Sequence, residues 1–494
     1  MALGGIIVAG LLVALLFYQA IHSLYLVYFH PLASYPGPGL ARFTNYWRLR
    51  SFLKGNQHLV DLGLHARYGK FVRDGPNSLL VSDLDAFKSI YGFTGKLNKG
   101  DFYAVTSNGT PEHPNLFAAR TEAQHRAVRK RLAPTAFAPK HLAQYEASVA
   151  DNVFTFSESL KQLVKAYGHM LNIAPICERL VFDALIEATY GSSMSLLPEQ
   201  DPAGIIQSKK KGFPVTFGIS HIPWLSRLVS LPSISPFLRR PKYDKHGSPK
   251  GLSAAGVWTR KIMADAANGE AHLNPCILKN LLEIAPSDNR RMRLEAIRYE
   301  CFSSTAAALI AVLYEIGRHP EWQSRLRSDL ERLPPTEYLS TVHLSQSESL
   351  QAVMKESLRL HPPFVGPFER VIVPQQEDTV ANVKPLPAGT RIWSSLFVMC
   401  RSEQVFGDKI NEFRPERWME REPDMLKGMD DMFCVFGRGS RRCIGQDLAW
   451  MTLQKTVAAV VRTWDLQCGE EALKGKAHLE MEYDELRVTL APIA

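Results

Sequence analysis

The run Phe436-Gly437-Arg438-Gly439-Ser440-Arg441-Arg442-Cys443-Ile444-Gly445 decides how this 494-residue chain is read. A helical pattern starts at Gln446, directly after it, which places Cys443 at a predicted helix N-terminus. A helix N-terminus and adjacent cations both lower a thiol's pKa, and the thiolate is the form that ligates a soft or redox metal. Arg441 and Arg442 lie beside the cysteine. Gly439 and Gly445 let the backbone approach a bulky planar ligand and aim amide N–H groups at the sulfur. The plainer explanation of a lone cysteine is a buried structural thiol.

Phe436, Gly439, Arg441, Cys443 and Gly445 match the Phe-x-x-Gly-x-Arg-x-Cys-x-Gly haem loop, and through it the chain resembles the cytochrome P450 family. Five fixed positions at roughly one in twenty each give ~10⁻⁴ chance matches in a chain this long. The resemblance implies a mainly α fold with small β-sheets, a cytochrome P450-like body behind a single N-terminal transmembrane helix. It implies Cys443 as the axial thiolate of haem b (iron-protoporphyrin IX), a donor that favours O–O cleavage and hence oxygenase chemistry.

Other segments extend the resemblance. Glu356 and Arg359 share a helix face at i, i+3, a pairing that alone marks only a surface ion pair. With His361-Pro362-Pro363 and Phe413-Arg414-Pro415-Glu416-Arg417-Trp418 downstream, it resembles the family's Glu-Arg-Arg triad: Glu356, Arg359 and Arg417. His125 and Arg129, at i, i+4, resemble the aromatic-x-x-x-Arg pair that holds haem propionates, with His in place of the commoner Trp. Arg441 and Arg370 occupy the family's other propionate positions. Taken singly, each arginine reads equally well as a solvated surface cation.

The pattern breaks on the distal helix. The family's small-Gly-x-acid-Thr falls on Glu300-Cys301-Phe302-Ser303-Ser304-Thr305, which puts Ser303 at the acid position and Ser304 at the alcohol position. A proton relay needs hydroxyls, which Ser304 or Thr305 supply, but Ser303 cannot serve as the acid. Glu300, one turn earlier, is a substitute proton source. Close packing explains the same small residues equally well. Two alternatives to ordinary monooxygenation therefore stand: a haem-thiolate rearrangement or coupling without the relay, and a non-catalytic membrane haem-binding sensor.

Apolar residues make up 46% of the chain and charged ones 22%, which excludes disorder, collagen and long coiled coil. The first 41 residues lack Asp, Glu, Lys and Arg, and Leu3–Phe29 is apolar save for residues such as Gln19 and His22. A run of that length spans a bilayer, and it lacks the basic start and short apolar core of a cleaved signal peptide. Arg42, Arg48, Arg50 and Lys54 follow it with no acid before Asp61, so the body is expected on the cytosolic side of the endoplasmic reticulum membrane. Seven scattered cysteines without a CxxC pair agree with a reducing compartment. A lumenal glycoprotein acceptor at Asn108-Gly109-Thr110 is the competing location. The expected division is an anchor over 1–29, a Pro-rich link over 30–60 and a haem-thiolate catalytic domain over 61–494. The link holds the body at a defined angle or is an ordinary linker.

A net charge of +9 fits nucleic acid, an anionic membrane or an acidic protein. No aromatic interleaving or nucleic-acid module accompanies it, so nucleic acid is not expected as a partner. No Gly-x-Gly-x-x-Gly follows a strand, so electrons must come from outside the chain. Arg126, Lys130, Arg131, Arg438 and Arg442 form a basic patch suited to an acidic reductase. The resemblance implies the NADPH-cytochrome P450 reductase.

Helical periodicity predicts helices over His125–Arg131, Glu178–Tyr190, Leu294–Arg318, Glu321–Leu333, Leu350–Leu360 and Gln446–Trp464. A hairpin is predicted over Phe71–Ser82, with strands over Phe368–Val373, Arg391–Trp393 and Met481–Leu490. Residues 200–250 read as a loop-rich segment that touches the membrane, with Lys209-Lys210-Lys211 as a solvated run. The flanks around Tyr35-Pro36-Gly37-Pro38 and Arg73-Asp74-Gly75-Pro76-Asn77 resemble fungal members, which oxidise apolar small molecules in secondary metabolism. Phe364, Val365 and Phe368, with Phe213–Phe237, are apolar enough to line a substrate pocket or simply to pack the core.

Overall fold

In the computed structural model the helix Ser304–Arg318 is enclosed on every side, with all residues from Thr305 to Gly317 buried. A helix apolar around its whole circumference belongs inside a core. It packs against Ala174–Tyr190, Glu348–Leu360 and Gln446–Thr463, and these four helices carry the main hydrophobic cluster. The structure describes residues 2–93, 95, 97–106, 114–229, 231, 233–234, 242–270, 273–283, 304–334 and 339–493.

The strands are short: β1 (Phe71–Gly75), β2 (Ser78–Val81), β3 (Asn98–Lys99), β4 (Met170–Asn172), β5 (Arg370–Val371), β6 (Arg391–Trp393), β7 (Trp464–Cys468), β8 (Lys476–Ala477), β9 (Met481–Glu482) and β10 (Arg487–Pro492). They form a five-stranded sheet in the order β1-β2-β6-β5-β3, a three-stranded sheet β4-β10-β7 and the pair β8-β9. The predicted hairpin is β1–β2, antiparallel with Phe71 opposite Val81. β3 pairs with β5 so that Lys99 lies opposite Arg370, joining two cations from distant parts of the chain.

The predicted helices are present at Glu122–Ala136, Ala174–Tyr190, Ser304–Arg318, Pro320–Glu331, Glu348–Leu360 and Gln446–Thr463. Residues 294–303 of the predicted distal helix lie outside the described residues. The region 200–250 departs from expectation, because it holds the helices Ile205–Ser220 and Pro223–Val229. The Asp201 carboxylate accepts bonds from the Ile205 and Ile206 amides (2.8 and 2.9 Å) and starts the first of them, despite Pro214 in its interior. Its lysines are not all a solvated run. Lys209 pairs with Glu480 at 2.9 Å, and Lys210 with Glu178 at 2.9 Å and Asp484 at 3.1 Å.

At the N-terminus the helix Ala2–Leu24 runs on through one wider turn, Tyr25–Phe29. Ala9–Phe29, 21 residues, is long and apolar enough to cross a membrane. The chain beyond it is fastened to the body. Buried Arg73 donates from Nη1 to the Leu26 carbonyl (2.7 Å), and its backbone N–H donates to the Pro36 carbonyl (2.8 Å). Gly37 is required there, since an added Cβ would stand 2.1 Å from the Arg73 carbonyl oxygen.

Candidate functional site

The cysteine loop is closed by backbone bonds: the Cys443 N–H donates to the Phe436 carbonyl (2.7 Å) and the Gly437 N–H to the Cys434 carbonyl (2.7 Å). Gly439 has φ +66, and a Cβ on it would lie 2.4 Å from the Tyr91 carbonyl oxygen, so glycine lets the loop seat against the Tyr91–Gly92 backbone. Gly445 immediately precedes the helix Gln446–Thr463, and a Cβ there would meet nothing within 4 Å. Cys443 is exposed, whereas four of the other described cysteines, Cys177, Cys276, Cys400 and Cys434, are buried. All described cysteines are free thiols.

Cys443 opens onto a cavity of about 1550 Å³, counting the open space at its mouth. Phe436, Gly445, Arg441, His125, Ser304 and Thr305 share its wall with the cysteine. Apolar side chains such as Phe117, Phe137, Phe364 and Phe368 make up most of the rest.

Cations gather on one side. The capping box of Thr121 and Gln124 starts the helix Glu122–Ala136 and sets His125 facing inward, buried. Burial, and then the charges of Arg441, Lys99, Arg129 and Arg370, push the His125 imidazole down to about 3. Arg441 donates to the Ala119 and Arg120 carbonyls (3.0 and 3.1 Å), and burial with the Arg370 charge pushes it down to about 10. Arg129 donates to the Arg442 carbonyl (2.6 Å), tying this helix to the cysteine loop. Arg370 lies over the Tyr91 ring at 5.1 Å. Four cations around a neutral imidazole suit a guest bearing two carboxylates, and the open space at Gly445 and Cys443 suits its flat face.

Behind the loop, Arg359 grips the Glu356 carboxylate with Nε and Nη2, both at 2.9 Å, and Arg417 Nε reaches Oε1 at 2.8 Å. All three side chains are essentially sealed from water. Burial pushes the Glu356 carboxyl up, but the Arg359 and Arg417 contacts outweigh it and hold it below its usual value. Arg359 also donates to the Cys400 and Ile410 carbonyls (3.1 and 2.7 Å), and Arg417 to the Phe406 carbonyl (2.6 Å).

The fold thus brings Cys443, His125, Arg441, Phe436, Gly445, Ser304 and Thr305 to one cavity. Arg129 and Arg370 stand behind its wall, and Gly439 backs onto Tyr91. Ser303, Glu300 and the Asn108-Gly109-Thr110 triplet lie outside the described residues. Two further contributors carry no signal of periodicity or motif. Lys99 reaches the cavity from β3, and Glu480 from the turn before β9. Trp418 Nε1 donates to Glu356 Oε2 at 2.9 Å.

A mainly helical body around a large cavity, with a loop cysteine and a cationic flank on its wall, is the architecture of a haem-binding oxidoreductase. Residues 35–481 match the family model for cytochrome P450, and the chain belongs to that family: it is a cytochrome P450 monooxygenase. A cytochrome P450 monooxygenase of Aspergillus terreus is 28% identical over 451 residues, 88% of this chain and 90% of that one. A pisatin demethylase of Fusarium vanettenii is 28% identical over 461 residues, 91% of this chain and 88% of its own length. The cytochrome P450 monooxygenase cicH of Emericella nidulans is 27% identical over 457 residues, 89% of each chain. Family membership implies a haem-thiolate cofactor, a redox partner and a small-molecule substrate.

Proposed function

We propose that Cys443 is the axial thiolate of haem b in a membrane-anchored monooxygenase that inserts oxygen from O2 into an apolar small molecule. The observation that carries this is the exposed Cys443 on a cavity whose flank holds His125, Arg441 and Lys99. Bound haem supplies dioxygen activation, which a thiolate donor favours. The chain's own residues do the rest. The Phe436 carbonyl holds the Cys443 backbone in place, and the helix starting at Gln446 favours the anionic form of the sulfur. Arg441, His125, Arg129, Arg370 and Lys99 supply donors and positive charge for the two propionates. Ser304 and Thr305, on the cavity wall, hold hydroxyls for proton transfer; Ser303, which precedes them in sequence, lies outside the described residues.

Exposed Arg126, Lys130 and Arg442 lie on the cysteine side and suit an acidic NADPH-cytochrome P450 reductase. The apolar span Ala9–Phe29, followed by Arg42, Arg48 and Arg50, supports a single pass in the endoplasmic reticulum membrane with the body in the cytosol. The anchor is assigned to residues 1–29, the Pro-rich link to 30–60 and the haem domain to 61–494. Fungal relatives named as monooxygenases and a demethylase support oxidative work in secondary metabolism.

The test is the absorption spectrum of the reduced, carbon-monoxide-bound full chain, followed by Cys443→Ser. Wild type should give the spectrum of a thiolate-ligated haem and turn over NADPH with added reductase, and the variant should lose both. A variant that keeps either one overturns the assignment.

A further inference from the structure

Three phenylalanines on the cavity wall keep surface open where their neighbours in the chain do not. Phe117, Phe364 and Phe368 line the cavity and are half-buried, whereas Ala118, Val365 and Pro367 are buried. Val365 belongs to the main hydrophobic cluster, so the chain there packs one apolar side chain into the core and leaves the two rings to the cavity. Each ring is braced. Phe364 and Phe368 lie with centroids 4.8 Å apart and planes inclined at 51°. Phe117 meets Tyr103 edge-on at 5.1 Å, and Lys99 Nζ stands 5.2 Å from its centroid. Tyr91 donates to the Phe368 carbonyl (2.8 Å). Phe117 and Phe364, remote in sequence, both pack on the cluster that holds Phe102, Tyr103 and Leu479. The three rings are therefore fixed before a guest arrives, which lowers the entropy lost on binding. Ser304, Thr305 and Ala308 bring only small side chains to the same cavity and leave width for a flat body.

Resting on the reading of this cavity as the substrate site, we propose that Phe117, Phe364 and Phe368 form a recognition wall that selects a flat aromatic substrate over a saturated one of the same skeleton. Burial of apolar area favours any oily molecule, and favours the saturated one more because it carries more hydrogen-covered surface. Rings add a directional term. Each has a negative face and a positive edge, so tilted and edge-on contacts gain beyond the area they bury. A guest arene meets fixed rings that already pair in these geometries, whereas a cyclohexyl group has no quadrupole to answer them. The substrate class is an arene or fused aromatic skeleton.

The test compares biphenyl with bicyclohexyl, which share one carbon skeleton and differ in aromaticity. Binding to the full haem-loaded chain is read from the change in haem absorption and by calorimetry. Wild type should bind biphenyl about tenfold or more tighter. Phe117→Leu and Phe364→Leu keep apolar bulk while removing a ring, and each should lower that ratio about threefold or more. The triple variant with Phe368→Leu should bring the ratio to one or below. Unchanged haem content and melting temperature show that the wall was lost and not the fold; should the triple variant fold poorly, the two single variants carry the test. Bicyclohexyl bound as tightly as biphenyl by wild type, no binding of either probe, or a ratio that survives the leucine replacements overturns the proposal. A thiolate-type carbon monoxide spectrum in the same samples shows that such a failure belongs to the aromatic wall and not to the haem assignment.

Discussion

Arg359 meets Glu356 through two parallel hydrogen bonds of 2.9 Å, and neither side chain has any exposed surface. Bidentate geometry of this sort combines charge with direction. The same carboxylate receives Arg417, Trp418 and the Arg414 amide, so one anion organises four donors from two segments of the chain. Glu356→Ala leaves two buried guanidiniums without their anion, a loss of about 3–5 kcal/mol. The variant should be recovered largely without haem and with a lower unfolding midpoint, seen by haem content and circular dichroism. Full haem content would contradict it.

Two glycines of the cysteine loop should respond in opposite ways. Gly439→Ala places a Cβ against Tyr91 in a left-handed backbone and should destabilise the protein by about 1–3 kcal/mol even without haem. Gly445 has φ −89 and open space before it, so Gly445→Val should leave the melting temperature of the haem-free protein nearly unchanged while blocking haem loading. Calorimetry on haem-free protein, followed by haem titration, separates the two.

Lys99 lies opposite Arg370 across β3 and β5 and donates to the Phe117 carbonyl at 2.7 Å. Lys99→Met should weaken haem binding about tenfold, and Lys99→Arg should restore most of it. Titration of haem into the haem-free protein measures this, and an unchanged melting temperature shows that the loss is not one of folding.

Burial pushes the Asp61 carboxyl up to about 7 from 3.8, with Arg48 and Gln57 only partly opposing it. Between those values the folded protein holds a proton that the unfolded chain has released, so this group's stabilisation is complete below pH 3.8 and is lost as pH rises towards 7. From pH 5 to 7 the loss is about 2–3 kcal/mol, at roughly 1.4 kcal/mol per unit. Asp61→Asn should flatten that part of the pH profile. Denaturant unfolding of detergent-solubilised protein at pH 5 and pH 8 checks it.

Leu40 and Tyr46, close in sequence to the apolar N-terminal helix, and Trp224 are exposed apolar side chains, at 68%, 57% and 62% exposure. The helix Tyr46–Leu53 packs on Ile205–Ser220, whose neighbour carries Trp224. Removing residues 1–29 should therefore leave vesicle binding in flotation assays. Leu40→Ser with Trp224→Ser in the shortened chain should abolish it.

The cysteine loop, the Glu356–Arg359 pair and the apolar anchor were legible in the chain because each depends on residues close together in sequence. Helical period located the helices for the same reason. The segment after residue 200 misled, since its proline and serine content hid a helix started by the Asp201 side chain. Lys99 and Glu480 left no local trace at all. Sheet pairing sets Lys99 opposite Arg370, and a β-bridge brings Glu480 beside Phe364.

Sequence alone therefore determined the family, the position of the cysteine loop and the apolar N-terminal helix, all local patterns of residue type and spacing. Tertiary structure decided which cations surround His125 and which acidic residue lines the cavity. Charge and burial act through space, and pairing between remote segments determines those distances.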